Sequence, residues 1–266
     1  MRFGGNIRVG IIGAVLLVLA AFLAPVLASH DPLEQDLTHA FLGPSSGHIF
    51  GTDQLGRDIW SRVIYAARTD LVVAAAGALL PAVVGGGLGL FAGYLGGVFK
   101  TVLDYVANLV IVLPQYVIVL ALVGILGAGI PSILVALLLV DWVNYYRLVS
   151  ADVGQMRSSD WVRACEDSGL GRIRVVTRHI APNAVPQFVV FLMSDLVFII
   201  LLVVSLSYVG LGIAPPTPEW GSMIADGQAF VLTKWWVVVF PGLAIIVSGL
   251  VFTLLGEGIS EALNGR

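Results

Sequence analysis

Apolar residues along this chain fall into six long stretches that are separated by polar connections. A helix needs about 20 mostly apolar residues to cross the hydrocarbon core of a bilayer, and each stretch has roughly that length. Three charged residues lie inside the stretches, namely Asp141, Arg147 and Asp195. The pattern predicts an all-α, polytopic membrane protein with six transmembrane helices, over residues 9–27, 71–95, 105–126, 131–149, 188–211 and 235–255.

The first apolar stretch has two interpretations. It follows Arg2 and Arg8 and ends near small residues, as the hydrophobic part of a secretory signal peptide would. Its apolar run of 19 residues is longer than the roughly 7–15 residues of such a segment. We therefore favour an uncleaved transmembrane anchor.

Residues 28–70 form the first of two long connections, and part of it has the pattern of an amphipathic helix. Leu55, Ile59, Val63 and Ala67 recur every four residues, which gives a helix with one apolar face. This helix either lies on the outer membrane interface or is simply the charged start of the second span. We divide the chain into an N-terminal segment, residues 1–70, and a transmembrane domain, residues 71–266.

The second long connection, residues 150–186, has the pattern of a helical hairpin. Asp160 is a candidate N-cap for a short helix, and Gly169 or Gly171 would end that helix. A second amphipathic stretch follows, and we expect it to end at Pro182, because proline removes a backbone donor. A connection with this much structure indicates a surface that a partner grips.

Composition and charge narrow the classes of protein. The chain is 58% hydrophobic and 12% charged with a mean hydropathy of +0.95, which argues against a soluble enzyme. A net charge of -3 offers no basic surface for nucleic acid, and the single cysteine, Cys165, excludes an intramolecular disulfide. Ten of the 14 Lys and Arg residues fall on one side of the predicted spans. By the positive-inside rule, both termini are expected in the cytoplasm.

Motifs for catalysis are absent from the sequence. A phosphate-binding GxxxxGK[ST] loop needs a lysine after a glycine, whereas Lys100 follows Phe99 and Lys234 follows Thr233. The HExxH motif is missing, and the histidines are scattered without the spacing of metal ligands. We expect no catalysis, no metal and no cofactor in this chain. The histidines are His30, His39, His48 and His179.

Several separated motifs carry a resemblance to a known family. The segment Trp-Val-Arg-Ala-Cys-Glu-Asp-Ser-Gly at 161–169, followed by Arg-His-Ile-Ala-Pro-Asn at 178–183, resembles the EAA loop of ABC-importer permeases. The segments at 51–65, 205–221 and 254–263 resemble the dipeptide, oligopeptide and nickel group of those permeases. Over nearly its whole length the chain is similar to the C-type permease subunits of that group.

The resemblance implies the type I ABC-importer permease fold in a bacterial cytoplasmic membrane. Its implied partners are membrane lipid, a second (B-type) permease subunit, one or two ABC ATPase subunits and an extracytoplasmic substrate-binding protein. ATP and Mg²⁺ would then be bound by the ATPase subunits and not by this chain. The implied cargo is a dipeptide or oligopeptide, with a nickel chelate, glutathione or haem as alternatives. A secondary transporter and a structural membrane scaffold are rivals from other classes.

The same resemblance makes residues 161–169 a coupling helix that docks on an ATPase. We expect it to be a rigid peg whose exposed apolar face, formed by Trp161, Val162 and Cys165, is covered by that partner. Two residues depart from the family pattern, because Arg163 and Cys165 stand where Glu and Ala are usual. The residues expected to couple to the ATPase are Trp161, Val162, Arg163, Ala164, Cys165, Gly169, His179 and Pro182.

Polar residues inside the spans are candidates for the translocation path, because a charge at membrane depth usually faces a cavity or a partner. Asp195 either lines the path or bonds between helices, and Asp141 belongs either to a gating cluster or to a substrate contact. Pro114 should kink the third span, as a hinge or as a fixed feature. The path candidates are Asp195, Asp141, Asn144, Gln115 and Tyr116. The candidate contacts for a binding protein, with helix capping as the alternative, are Pro216, Glu219 and Trp220.

Overall fold

The computed structural model describes residues 5–264, and in that part of the chain the regular structure is helical. Arg2 and Arg266, which entered the charge bias, lie outside the described residues. Five helices are long and apolar enough to cross a membrane, and a bent helix pair makes a sixth candidate. The helices are α1 (Gly5–Phe22), α2 (Ala24–Leu27), α3 (Ile59–Leu95), α4 (Gly97–Ile111), α5 (Gln115–Leu126), α6 (Ile130–Arg157), α7 (Asp160–Asp167), α8 (Arg172–Arg174), α9 (Ala181–Tyr208), α10 (Trp220–Gly227) and α11 (Trp236–Asn264).

The amphipathic stretch near residue 60 is the beginning of the second span and not a separate interfacial helix. Helix α3 starts at Ile59, directly after its N-cap Asp58, and continues for 37 residues. Its apolar stripe is buried inside the protein, with Ile59, Val63 and Ala67 between 0% and 8% exposed. No glycine or proline lies between this stripe and the apolar span to end the helix. The division of the chain at residue 70 therefore falls inside a continuous helix.

Over the third predicted span, 105–126, the helix is broken in two. Helices α4 and α5 meet at an angle of 81°. The break lies at residues 112–114, and Pro114 occupies the N-cap position of α5. Proline has no N–H to donate to the preceding turn, so the hydrogen-bond ladder ends here. The predicted kink at this proline is thus a full change of direction.

The fifth span starts much earlier than the sequence pattern indicates. A helical run extends from Arg172 to Tyr208, and a π-helical turn over Val175–Ile180 joins α8 to α9. Pro182 does not end this run, contrary to expectation. It is the second residue of α9 and directly follows the π-helical turn, so the helical run continues through it.

Helices α3 and α6 share the most extensive contact of the described helix pairs, and a row of glycines lies in it. Gly85, Gly89 and Gly93 follow each other at intervals of four and face the backbone of α6. A Cβ placed on them would lie 2.1 Å, 2.8 Å and 2.7 Å from the carbonyl oxygens of Trp142, Tyr146 and Ser150, respectively. Small residues at this spacing let transmembrane helices approach closely. Gly85, Gly89 and Gly93 thus allow the backbones of α3 and α6 to pack closely.

Candidate functional site

The first candidate site is the hairpin made by α7, α8 and the π-helical turn. Val162 is fully buried against Val175, Val176 and Ile180. The expectation that Val162 lies on an exposed apolar face is therefore wrong, because the second half of the hairpin covers it. Trp161 remains on the surface at 41% exposed. One face of α7 therefore anchors the hairpin, and the opposite face is free.

The side chain of Tyr94, at the end of α3, contacts both α7 and the last residue of α6. The hydroxyl of Tyr94 donates to Glu166 on α7, and the Arg157 guanidinium lies 5.9 Å from the centre of the Tyr94 ring. Neither Tyr94 nor Glu166 was singled out from the sequence, because they are 72 positions apart. This contact links α7 directly to α3, which is long and apolar enough to cross a membrane.

The two ends of α7 differ slightly from the predicted ones. Ser159 is the N-cap, and Asp160 is the first helical residue, where its charge still favours the helix N-terminus. Gly169 follows the helix with a φ of +79°, as a glycine that ends a helix often does. Nothing lies within 4 Å of a Cβ placed at Gly169, so its conformation, and not space, requires glycine there.

The other predicted coupling residues lie around this hairpin at different depths. Arg163 and Ala164 are exposed on α7, and Cys165 is half-buried. His179 is half-buried on the π-helical turn, and Pro182 is exposed at the start of α9. The hairpin therefore brings the predicted residues to one end of the molecule, although only part of the set is accessible.

The second candidate site is a polar cluster between α5 and α6. The Asn144 amide donates to Asp141 Oδ1 over 2.8 Å and to Gln115 Oε1 over 3.0 Å. Gln115 Nε2 donates to the same Asp141 oxygen over 2.9 Å. Gln115 is the first residue of α5, immediately after the broken turn. Three of the predicted path residues are thus assembled beside the break, whereas Tyr116 packs against the apolar core.

Asp195 extends this polar cluster to α9. The hydroxyl of Tyr145 donates to Asp195 Oδ2 over 2.6 Å. The second oxygen of Asp141 has no donor among the described residues, and the Asp141 carboxyl group is a close electrostatic neighbour of Asp195. Asp141 and Asp195 are only 0% and 5% exposed. In this conformation Asp195 bonds between helices, which was one of its two predicted roles.

The third candidate surface surrounds α10, and here two predicted residues are buried. Glu219 is 0% exposed and caps α10 by accepting from the backbone N–H groups of Gly221 and Ser222, each over 2.7 Å. Trp220 is 1% exposed, and its backbone N–H donates to Asp70 Oδ2 over 3.0 Å. Burial therefore argues against Glu219 and Trp220 as contacts for a binding protein: Glu219 caps α10, and the Trp220 indole N–H donates to the Val63 carbonyl oxygen over 3.0 Å. Pro216 stays exposed.

The Glu219 carboxyl is electrostatically unusual. Burial raises its pKa, while the hydrogen bonds from the backbone N–H groups of Ser222 and Gly221 act in the opposite direction. The Asp70 carboxyl group is a close electrostatic neighbour of Glu219, and Asp70 Oδ1 has no hydrogen-bond partner among the described residues. Two buried carboxyl groups therefore share one small space where α3 meets the start of α10.

Comparison with known proteins identifies related chains and a related fold. A family model described as the inner membrane component of binding-protein-dependent transport systems matches residues 85–266. Another, described as the N-terminal transmembrane domain of oligopeptide transport permease C, matches residues 8–44. Both matches agree with the helical membrane architecture described above.

Individual relatives match nearly the whole chain. A putative peptide transport system permease protein of Brucella suis is 33% identical, over 98% of this chain and 88% of the relative. The dipeptide transport system permease protein DppC of Alkalihalophilus pseudofirmus is 34% identical, over 97% and 86%. The nickel transport system permease protein NikC of Escherichia coli is also 34% identical, over 97% and 94%. An inward-facing structure of the methionine ABC transporter MetNI has a TM-score of 0.59 at 16% identity, covering 77% of this chain and 97% of that one.

Proposed function

The chain belongs to the family of inner membrane components of binding-protein-dependent transport systems, and on that premise we propose that it forms half of an ATP-driven import pathway for dipeptides or oligopeptides. It is a permease component of an ABC importer, and members of this family are not catalytic. Family membership also removes the secondary transporter and the membrane scaffold from consideration. Peptide cargo is supported by the names of several relatives. Nickel is the alternative cargo, because another relative is named as a nickel transport permease.

The observation that carries the proposal is the anchored hairpin at residues 160–180. Its free face presents Trp161, Arg163 and Ala164 to a partner, while Val162 and Glu166 hold it to the rest of the protein. A rigid helix of about two turns, fixed to α3 through Tyr94, is suited to transmit force from an ATPase that binds ATP and Mg²⁺. We assign the ATPase contact to this free face.

A second permease subunit is supported by the apolar surface of the broken span. Its most exposed apolar side chains, at 76% to 82%, are those of Val98 on α4, Val112 in the break and Ile125 on α5. Part of such a surface contacts lipid, and part of it is available to another helical subunit. The polar cluster beside the break would then face the shared pathway when the two halves separate.

The proposed orientation places the hairpin and both termini in the bacterial cytoplasm. The loops before α3 and before α10 then lie outside, where Pro216 is accessible to a substrate-binding protein. Cysteines at Ser46 and Thr217, in a Cys165→Ser background, should react with an impermeant thiol reagent added outside. A cysteine at Ser158 should be protected, and the reverse pattern of labelling would contradict the orientation.

The coupling role is tested by comparing Gly169→Ala with Gly171→Ala. Both positions have open space around a new Cβ, but only Gly169 has a positive φ, which costs a non-glycine residue about 1–2 kcal/mol. Gly169→Ala should lower substrate-stimulated ATP hydrolysis and retention of the ATPase at normal membrane abundance. Gly171→Ala, whose φ of -63° suits alanine, should leave both measurements unchanged. Full stimulation in the Gly169 variant would refute this role of the hairpin.

A further inference from the structure

Three of the four histidines, which follow each other at intervals of nine residues, lie together in one pocket at the α10 end of the molecule. The rings of His30 and His48 stack with their centres 4.7 Å apart, and the His39 ring is 6.4 Å from that of His48. The sequence indicated scattered histidines without ligand spacing. The structure corrects that reading, because the loop over residues 29–58 folds back on itself and brings them together.

Two of these histidines converge on one oxygen of a buried carboxylate. Asp58 Oδ1 is 2.9 Å from His48 Nδ1 and 3.7 Å from His30 Nδ1. One ligand atom from each of the three residues lies within 4.8 Å of the others. A tetrahedral ion with bonds of roughly 2.0–2.1 Å needs ligand atoms about 3.3 Å apart. Small side-chain rotations would therefore place all three atoms around a single ion.

The carboxylate is held in a fixed orientation by the start of α3. Asp58 Oδ2 accepts from the Ser61 N–H over 2.8 Å and from the Ser61 hydroxyl over 2.7 Å. This leaves Oδ1 for the histidines. The Asp58 side chain is 1% exposed, and within the described residues its ion-pair partners are His30 and His48 alone. Such second contacts orient a ligand and are typical of metal sites.

The surroundings of the three residues are acidic and open on one side. They border a pocket of about 200 Å³ that is also lined by Asp31, Glu34 and Asp36. His39 lines the same pocket, with its Nδ1 2.7 Å from Asp36 Oδ2. The negative charges favour a cation, and the pocket has room for a water molecule as a further ligand.

We propose that His30, His48 and Asp58 bind one divalent first-row transition metal ion of the zinc class. Two imidazoles and a carboxylate suit zinc, nickel or copper and disfavour magnesium or calcium, which prefer oxygen ligands. The bound ion fixes the loop over residues 29–58 to the N-terminus of α3. The site is independent of the proposed coupling hairpin and of the identity of the cargo.

The test uses the full-length chain in lipid nanodiscs, purified without a polyhistidine tag and stripped with a chelator. Titration with Co²⁺ should give the visible absorption of a four-coordinate ion and saturate at one ion per chain, and Zn²⁺ should displace it. His30→Gln should weaken Co²⁺ binding by about 100-fold or more, since even outer-shell changes cost about 10–100-fold. His179→Gln, at the other end of the molecule, is the matched control and should bind as the wild type does.

Thermal unfolding provides a second readout that does not depend on colour. Zn²⁺ should raise the unfolding temperature of the wild type and of His179→Gln, since an ion that binds only the folded state stabilises it. It should leave that of His30→Gln unchanged. The His30 side chain is 39% exposed, so this variant is expected to fold and to melt like the wild type in chelator. Absence of the Co²⁺ band in the wild type, or equal binding by wild type and His30→Gln, would overturn the proposal.

Discussion

The glycine row between α3 and α6 allows a controlled test of how this fold is held together. Alanine at Gly85 would place a Cβ 2.1 Å from the Trp142 carbonyl oxygen and 2.9 Å from Tyr145 Cβ. Alanine at Gly87, two residues further along the same helix, would meet nothing within 4 Å. The two substitutions add the same methyl group to one helix and differ in what it contacts.

The size of the effect follows from the obstruction. A carbon and a carbonyl oxygen come no closer than roughly 3.3 Å, so α3 and α6 must separate by about 1 Å at Gly85. Overpacking costs typically about 1–3 kcal/mol, and we expect the upper end because backbone, and not a flexible side chain, is in the way. Gly87→Ala should instead stabilise the protein by up to about 1 kcal/mol through helix propensity.

Helix propensity changes equally in both variants, so their difference isolates the packing cost. A difference of about 3 kcal/mol corresponds to roughly a 100-fold change in the unfolding equilibrium. Unfolding by SDS in mixed micelles, followed by tryptophan fluorescence, measures it, and Gly87→Ala serves as the matched control. Equal midpoints for Gly85→Ala and Gly87→Ala would show that the helices adjust freely, which would refute the reasoning.

Three further predictions concern buried polar and apolar contacts. Asp70→Asn places an amide donor beside the Glu219 carboxyl group, so at neutral pH the variant should melt at the same temperature as the wild type or higher. The raised pKa of Glu219 favours folding at low pH, and this effect is lost as the pH rises. The melting temperature of the variant should therefore change less with pH than that of the wild type. Tyr145→Phe removes the donor to Asp195 and should cost about 1–3 kcal/mol in thermal unfolding. Val162→Ala leaves a cavity beneath α7 and should cost about 2 kcal/mol, which limited proteolysis of the hairpin would detect as faster cleavage.

The number and type of spans could be predicted from the sequence, whereas their junctions could not. Apolar length determines that α3, α6 and α11 exist, and the structure confirms them as candidate spans. Hydrophobicity alone does not distinguish a helix that ends at the membrane surface from one that continues, as α3 does beyond Leu71 towards Ile59. The presence of Pro182 in the sequence does not by itself end a helix, because the helical run from Arg172 to Tyr208 continues through it.

The candidate sites were predictable only where their residues are close in the sequence. Asp141 and Asn144 are three residues apart, so one helix places them together. The bond between Tyr145 and Asp195 spans 50 positions and depends on how α9 packs against α6. The histidine pocket likewise arises from a loop whose path has no periodic pattern. Contacts of this kind need the tertiary structure.

The broken span and the polar cluster have one physical explanation. Residues 112–114 interrupt the helix, and interrupted backbone at membrane depth is tolerated only against protein or a water-filled cavity. On the inner side, Gln115 meets this requirement by bonding to Asp141 and Asn144. On the outer side, Val112 and Leu113 are 76% and 56% exposed, so this side of the break has no cover from the chain itself. In the proposed importer made of two such halves, the second subunit or the polar pathway would supply that cover.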